Sequence, residues 1–303
     1  MSASPPRLLS GPDLRALSGR SDARGAARLG LHVALLASAG WLVAVAPGWT
    51  ILPAMLMLGV VQVSLFAPLH ETMHLTAFAS RRANSVVGWL AGCPSLLNWH
   101  FYGAFHLAHH RFTQDPARDP ELTPPPPAGL AGYLARIAAL NFWRARLKLI
   151  ADAWRGDLSA YPFIAPHARA RIASSTRWMT VFVAALASGS AVLLGWWVPL
   201  AFWIGPQLLA QPLLRLYLLT EHTGCSEDAD GLANTRTTLT NPLVRLLMWN
   251  MGFHAEHHLY PSIPFHRLAD AHAVLRDRLG VIQHGYARWH WRYLRRLLRP
   301  AVT

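Results

Sequence analysis

Residues 29–70 read LGLHVALLASAGWLVAVAPGWTILPAMLMLGVVQVSLFAPLH, and this apolar segment is the strongest indication of the architecture. Its 42 residues include no Lys, Arg, Asp or Glu, and Pro47 and Gly48 interrupt it near the middle. One helical crossing of a bilayer needs about 20 apolar residues, so the segment is long enough for two. Because Pro and Gly mark turns, we predict helices over about 29–46 and 49–70, joined by a short turn.

A second uncharged segment covers 37 residues, from Trp178 to Leu214. Residues 195–199 within it read GWWVP. Trp favours the membrane interface, and Gly and Pro interrupt helices, so we predict helices over about 178–196 and 199–220. The expected fold is therefore an all-α integral membrane protein, with four transmembrane helices in two hairpins and a cytoplasmic helical cap.

The basic residues predict the orientation of these helices. All 28 Lys and Arg lie before residue 29, between Arg81 and Arg177, or from Arg215 onward, and neither turn contains one. Since basic residues accumulate on the cytoplasmic side, we expect both turns to face outward and both termini to be cytoplasmic. A net charge of +13 is also typical of nucleic-acid-binding proteins. Here, however, the Arg residues flank membrane helices, where anionic lipid attracts them, and we expect no nucleic-acid partner.

The composition indicates one membrane domain with basic ends. Only 14% of the residues are charged, against about 25% in a typical soluble domain. We expect residues 1–28 to form a basic, flexible cytoplasmic tail and residues 29–275 to form the membrane domain. Residues 276–303 are expected to form a basic amphipathic segment on the membrane surface. The only two cysteines, Cys93 and Cys225, indicate neither a disulfide framework nor a Cys-type zinc site.

Nine of the sixteen histidines form four clusters. HETMH at 70–74 and HLAHH at 106–110 follow the first hairpin, and EH at 221–222 and HAEHH at 254–258 follow the second. Positions i, i+3 and i+4 of a helix share one face, so each His-x-x-His-His box directs three imidazoles towards one point. The predicted metal ligands are His70, His74, His106, His109, His110, His222, His254, His257 and His258.

The number and type of these side chains predict which metal they bind. Imidazole suits Zn, Cu, Fe and Ni. A zinc site takes about four ligands, far fewer than nine, whereas two metal ions with open positions use all of them. Zinc has no redox chemistry, while paired iron activates dioxygen. We therefore predict two iron ions as cofactors, with O2 as a co-substrate.

Two other classes of protein are alternatives. Residues 70–74 match the HExxH signature of zinc metalloproteases, in which Glu71 would be the general base. Ala77 and Ser80 stand where the longer form of that signature has Gly and His, and a protease leaves seven clustered histidines unexplained. A metal transporter would place ligands at mid-membrane along a pathway, whereas here they follow the ends of the predicted helices.

At these boxes the sequence resembles the membrane-bound fatty acid desaturase superfamily, which includes acyl desaturases, lipid, alkane and carotenoid hydroxylases, and ketolases. The family pattern is His-x(3 or 4)-His, His-x(2 or 3)-His-His and His/Gln-x(2 or 3)-His-His. It is met by His70 and His74, by the box at 106–110 and by the box at 254–258. The resemblance covers about residues 29–275, and the stretches 104–116 and 252–261 look like bacterial members. It implies that His222 is an additional ligand and that the site is cytoplasmic, in a bacterial inner membrane.

The resemblance implies an O2-dependent desaturase that abstracts hydrogen from an unactivated CH2 of a long acyl chain and inserts a double bond. A hydroxylase, or another oxidative branch such as a decarboxylase that forms terminal alkenes, would use the same site. Since small differences in substrate placement decide between these outcomes, the sequence leaves them open. The final box begins with His254 rather than Gln, and no fused haem domain is recognisable, which implies a separate, ferredoxin-like electron donor. A basic cytoplasmic face attracts an acidic carrier of that kind.

Ligating histidines usually donate their second ring N–H to a carboxylate or a carbonyl. Polar residues near the boxes are therefore candidates for orienting the ligands, although a solvated or packing role is open for each. These candidates are Glu71, His100, Asp115, Asp119, Glu221, Asn250 and Glu256. The histidines outside the clusters are expected to be structural, and apart from His100 they are His32, His167, His266, His272, His284 and His290.

Overall fold

The computed structural model describes residues 8–298, so the first seven residues of the predicted tail and the last five of the C-terminal segment lie outside it. Most of the described chain is helical. Its first nine helices are α1 (Gly11–Leu17), α2 (Asp22–Val45), α3 (Ile51–Val63), α4 (Phe66–Met73), α5 (Arg81–Gly92), α6 (Trp99–Phe112), α7 (Leu130–Ile137), α8 (Leu140–Arg155) and α9 (Pro166–Leu194). The later elements are α10 (Gly205–His222), β1 (Thr237–Leu239), α11 (Pro242–Leu247), α12 (His254–Leu259), α13 (Leu268–Leu275), β2 (Ile282–His284) and α14 (Tyr286–Leu297).

Three helical segments are long and apolar enough to cross a membrane: α2, the continuous segment Gly48–Met73 that includes α3 and α4, and α9. They contain the first three predicted crossings. The helices α2 and α9 begin earlier than predicted, at Asp22 and Pro166, because Ser21 caps α2 and Pro166 occupies the first turn of α9. In both helices most side chains face outward from the protein, which is the arrangement expected against lipid. The chain is therefore an integral membrane protein.

The region of the fourth predicted crossing is helical, but it differs from a uniform apolar span. A π-helical turn over Leu200–Ile204 leads into α10, whose buried face carries Gln207 and Gln211. The amide of Gln207 donates a hydrogen bond to Gln62 on α3, with an N–O distance of 3.2 Å. This hydrogen bond between two buried amides joins α10 to α3.

A close contact between α3 and α10 sets the position of the later histidines. A Cβ atom at Gly59 would lie only 2.1 Å from the carbonyl oxygen of Pro206, so only glycine permits this approach of the two helices. The first candidate ligand, His70, is buried on α4, directly after α3, and His222 is the last residue of α10. Packing α10 against α3 therefore brings the ends of the two hairpins together.

The structure differs from the expected flexible tail over residues 8–28. These residues include α1 and the first turns of α2, and Leu9 is only 3% exposed. The backbone N–H groups of Leu8 and Leu9 donate to the hydroxyl of Tyr260, each at 3.0 Å. Leu9 also packs with Leu268 of α13, so apolar contacts hold this segment against the histidine-bearing region.

The all-α prediction is also incomplete, because β1 and β2 form a small parallel sheet. Thr237 pairs with Ile282, and Leu239 pairs with His284. The sheet joins the loop after α10 to the C-terminal segment. Beyond it, Trp289 and His290 of α14 are buried, and the Nε2 of His290 donates to the carbonyl of Leu216 on α10 at 2.8 Å. The basic amphipathic segment thus packs on α10 as well as exposing its arginines.

Candidate metal centre

Four segments of the chain carry the nine clustered histidines to one place. His70 is on the last turn of α4, and His74 follows that helix directly. The box at 106–110 lies on α6, which begins at a cap formed by the side chain of Asn98. His222 ends α10, and the box at 254–258 occupies most of the short helix α12. The structure brings all nine predicted ligands together.

Five of the nine form one group. In this group, ring nitrogens lie within 4.8 Å of one another. The Nε2 atoms of His74 and His106 are 2.8 Å apart, those of His106 and His110 are 3.0 Å apart, and those of His110 and His257 are 3.2 Å apart. The members are His70, His74, His106, His110 and His257.

The remaining four form a second group beside the first. Ring nitrogens of His109, His222 and His258 lie within 4.8 Å of one another. The Nε2 of His254 is 3.2 Å from that of His222, which is also 3.2 Å from that of His109. The rings of His110 and His258 stack with centroids 4.0 Å apart, so the two groups are in direct contact.

These spacings fit metal ligation. Two nitrogens that lie about 2.1 Å from one ion, at adjacent octahedral positions, are about 3 Å from each other. The observed separations of 2.8–3.2 Å match that value. Both ring nitrogens of His70 are shielded from solvent and have no hydrogen-bond partner among residues 8–298, as expected for a side chain whose partner is an ion.

The protonation state of four of these histidines also suits a metal. Burial, followed by the charge of neighbouring imidazoles, lowers the pKa of His106, His254, His257 and His258 well below the usual value for histidine. The rings are therefore neutral at physiological pH, and neutral imidazole is the form that binds metals.

Two of the candidate ligands are oriented by hydrogen bonds from their Nδ1 atoms. The Nδ1 of His109 donates to the carboxylate of Asp119, at 2.9 and 3.0 Å from its two oxygens. The Nδ1 of His222 donates to the backbone carbonyl of Asn234 at 3.2 Å. Each bond places the proton on Nδ1 and leaves the Nε2 lone pair directed into the cluster. Asp119 thus lies where the predicted orienting role requires it, in hydrogen-bond contact with His109.

Glu221 also lies at the cluster. One of its carboxylate oxygens is 3.7 Å from the Nε2 of His254, and the other is buried without a hydrogen-bond partner in the described part of the chain. A carboxylate oxygen in this position is available to a bound cation. The sequence did not single out Glu121, whose carboxylate is 3.4 Å from the Nε2 of His109. Its position two residues after Asp119 is the signal that could have identified it.

Two more candidate residues brace the segments that carry ligands. Glu71 accepts hydrogen bonds from the hydroxyl of Thr76 at 2.6 Å and from the backbone N–H of Phe265 at 2.8 Å. Glu256 accepts from Thr237 and from His272, so the sequence interpretation missed a polar role for His272. Both carboxylates are buried, and they connect α4 and α12 to their surroundings.

The other three candidates contact residues outside the cluster. The amide of Asn250 donates to the carbonyl of Phe265 at 2.9 Å and accepts from Arg245 at 3.2 Å. His100 bonds Ser175 on α9 at 2.9 Å. Asp115 pairs with Arg118 near the surface. Their side chains stabilise loops and helix packing.

A cavity of about 230 Å³ opens directly onto both groups of histidines. His70 and His106 of the first group and His109, His222 and His254 of the second form part of its wall. Much of the rest of the lining is aromatic or aliphatic, with Phe66, Phe101, Tyr102, Phe105, Leu97 and Leu218 among its residues. A largely apolar cavity beside a cluster of potential metal ligands is the arrangement expected of a site that oxidises hydrocarbon.

Comparisons with known proteins agree with this geometry. The profile of the fatty acid desaturase family matches residues 47–298. An sn-1 oleoyl-lipid 12-desaturase of a Picosynechococcus strain is 24% identical, over 84% of this chain and 77% of its own length. Dihydrorhizobitoxine desaturase of Bradyrhizobium elkanii is 27% identical, over 79% of this chain and 70% of its own length. A beta-carotene ketolase of a Paracoccus strain is 29% identical, over 68% of this chain and 72% of its own length.

The family profile covers four fifths of the chain and includes every clustered histidine. The relatives named above oxidise substrates that range from a lipid to a carotene, which matches a largely apolar cavity beside a cluster of histidines. This chain belongs to the membrane-bound fatty acid desaturase family and is an oxidoreductase.

Proposed function

We propose that the protein is an O2-dependent, di-iron desaturase that inserts a double bond into a long acyl chain by abstracting hydrogen from an unactivated CH2. The observation that carries this proposal is the convergence of nine histidines in two adjacent groups, five of which line one largely apolar cavity. Two iron ions held by these groups supply the oxygen-activating redox chemistry that side chains alone lack.

The protein's own residues perform the remaining tasks. Each group of histidines would hold one ion. Glu221, which lies near His254, would balance part of the positive charge of the ion in the second group, formed by His109, His222, His254 and His258. Asp119 and the carbonyl of Asn234 keep the ring nitrogens of two ligands in the binding tautomer. The aromatic wall excludes water and holds a hydrocarbon segment in a fixed position, because oxidation at one carbon requires the reacting C–H bond to be near the metal.

We also propose the membrane arrangement. The segment 199–220, which includes most of α10, completes four crossings in two hairpins, and residues 29–275 form the membrane domain with its cytoplasmic cap. The histidines then lie on the cytoplasmic side of a bacterial inner membrane, together with both termini. Supporting this, the basic residues avoid the two inter-helix turns, and His70 and His222 lie at the ends of their helices remote from those turns.

The electrons come from a separate carrier in this proposal. A ferredoxin-like protein is acidic, and in this arrangement all 28 Lys and Arg belong to segments on the cytoplasmic side, most of them outside the cavity. Complementary charge steers such a carrier towards the face that holds the metal centre. In this proposal the acyl substrate reaches the protein from the surrounding lipid bilayer.

Lipid profiling by mass spectrometry tests the reaction. A bacterial host would express the protein, its His258→Ala variant or its His167→Ala variant, each with a ferredoxin system. His258 belongs to the second group of ligands, whereas His167 is exposed on the first turn of α9. We expect a new acyl double bond with the intact protein and with His167→Ala, and its absence with His258→Ala.

Other products would redirect or overturn the proposal. A new hydroxyl group, or a terminal alkene one carbon shorter, would keep the iron site and assign the protein to another oxidative branch. Peptide cleavage that persists in His258→Ala would instead identify a protease. Electron donors other than ferredoxin would be supplied in parallel to control for carrier specificity.

A further inference from the structure

Three arginines line the same cavity as the histidines: Arg136 on α7, Arg146 on α8 and Arg215 on α10. A cavity for a purely hydrocarbon substrate has no need of cations in its wall. Two of the three guanidinium groups also have unused hydrogen-bonding capacity. Nε and Nη1 of Arg146 and Nε of Arg215 are shielded from solvent and lack a hydrogen-bond partner within residues 8–298.

Aromatic rings pack against these two arginines. The guanidinium carbon of Arg215 lies 4.4 Å from the centre of the Phe142 ring, and that of Arg146 lies 5.4 Å from the centres of both Phe142 and Phe101. Cation–π contacts of this kind hold the charge in place while leaving N–H groups free to donate. Burial lowers the pKa of Arg146 to about 10, so it remains charged at physiological pH.

The acids in the cavity are engaged with the histidines. Glu121 lies 3.4 Å from the Nε2 of His109, and Glu221 lies 3.7 Å from the Nε2 of His254. In the part of the chain that the structure describes, neither glutamate comes within 4.0 Å of a cavity arginine. Neither glutamate therefore forms a direct ion pair with a cavity arginine, although both lie close enough to Arg215 to attract it. Unpaired guanidinium groups away from water are unfavourable, so an anion that arrives with the ligand would be stabilised there.

Resting on the proposed function, we propose that the substrate carries an oxyanion, either a carboxylate or a phosphate ester, that binds Arg146 and Arg215 inside the cavity. Guanidinium groups bind both oxyanions with paired, charge-assisted hydrogen bonds. The hydrocarbon next to the anion then lies against Phe66, Phe101 and Phe105, in front of His70 and His106. Arg136, whose Nη1 donates to the carbonyl of Pro124 at 3.3 Å, adds positive charge at the same wall.

The size of the cavity limits the distance between the anion and the reacting carbon. Its volume of about 230 Å³ is below the range of about 300–1,000 Å³ that is common for ligand pockets. The cavity therefore holds the anion and a short part of the chain, and any longer tail extends out of it. Neutral hydrocarbons of the carotene type lack the group that the arginines bind.

Equilibrium binding to the full-length protein in phosphatidylcholine nanodiscs tests this proposal without requiring turnover. The probes are radiolabelled decanoate, decyl phosphate and, as the neutral analogue, decanol, with empty nanodiscs to subtract partitioning into lipid. We expect at least one anionic probe to bind about tenfold or more tightly than decanol. Hydrogen bonds to charged groups contribute strongly to the free energy of binding. We therefore expect Arg146→Gln or Arg215→Gln to weaken anion binding about 10- to 100-fold.

The variants include a matched control. Arg144 is exposed on the same helix as Arg146 and is not part of the cavity wall, so Arg144→Gln should bind all three probes like the unmodified protein. Arg146→Lys keeps the charge but loses the planar donor pair, and should weaken anion binding less than Arg146→Gln. Thermal unfolding shows which variants are folded. In each of these, the affinity for decanol should be similar to that of the unmodified protein.

The outcomes distinguish the sources of the anion and separate the two proposals. Preference for decanoate identifies a free carboxylic acid, and preference for decyl phosphate identifies a phosphate-bearing lipid or carrier. Equal binding of decanol and both anions, or anion binding that survives in folded Arg146→Gln and Arg215→Gln, overturns the inference. Iron content and lipid products of the same preparations test the proposed function separately, because arginine-dependent anion binding does not require the metals or their chemistry.

Discussion

Replacement of His106 with alanine is expected to abolish oxidation of the acyl chain and to release iron from the protein. The Nε2 of His106 lies 2.8 Å from that of His74 and 3.0 Å from that of His110, so this ring is central to the five-histidine group. Loss of a residue that merely orients a ligand costs about 10- to 100-fold in metal affinity or activity, and loss of a ligand should cost at least the upper value. Metal analysis of the purified variant measures the loss of iron. Lipid profiling of a host that expresses the variant measures the loss of oxidation.

A second histidine variant controls for general damage. His284 is exposed and lies outside both groups, so His284→Ala should retain iron and activity. His106→Gln, which keeps a polar side chain of similar length, should lose metal like His106→Ala if the imidazole is a ligand. A His106→Ala protein that binds as much iron as the unmodified protein would contradict the assignment of this group.

Replacement of Asp119 with asparagine is expected to lower metal affinity and activity about 10- to 100-fold, the range found when the partner of a ligating histidine is removed. Asp119 accepts the Nδ1 proton of His109 and also accepts backbone N–H groups of Gln114 and Glu121 at 2.9 Å. Asparagine can keep one of the backbone bonds but loses the charge that stabilises the donating tautomer of His109. Competition with a metal chelator measures the affinity.

Asp115 provides the matched control for this variant. It lies in the same loop, but its partner is Arg118 near the surface. A surface ion pair contributes about 0–1 kcal/mol to stability, so Asp115→Asn should leave metal affinity nearly unchanged. Equal effects of the two substitutions would show that loop stability, rather than the orientation of His109, explains the loss.

The nine histidines could be predicted because their signal is local. The spacing i, i+3, i+4 on α6 and α12 places three rings on one face, and the clusters directly follow apolar helices. Their division into a group of five and a group around His109, His222 and His258 could not be predicted. That division depends on how α10 and α12 pack against α4 and α6, which no local pattern contains.

The residues around the ligands were harder to predict for the same reason. Asp119 accepts a hydrogen bond from His109, whereas Asn250 and His100 bond Phe265 and Ser175 instead. Proximity in sequence to a box does not determine the direction of a side chain in a turn, and Asn250 has a left-handed backbone conformation with φ of 61°. Glu121 reaches His109 because a short 3₁₀ turn, Pro120–Leu122, folds back towards α6.

The membrane helices could be predicted from their apolar composition, whereas the positions of their ends and the small sheet could not. The three apolar segments predicted for α2, α3–α4 and α9 are confirmed, and each is extended or divided by caps and turns. The N-terminal segment was expected to be flexible because it is rich in Arg, Ser and Pro. It is ordered over residues 8–28 because Leu9 packs on α13 and Tyr260 accepts its N–H, and these contacts span 250 residues of sequence.

The metal content of the purified full-length protein tests the central claim most directly. Inductively coupled plasma mass spectrometry would determine iron and zinc per chain after expression in iron-supplemented medium, beside His109→Ala. We predict two irons per chain in the unmodified protein and a loss of iron in the variant, since His109 is a member of the second group. One zinc per chain, bound equally well by His109→Ala, would contradict the di-iron account.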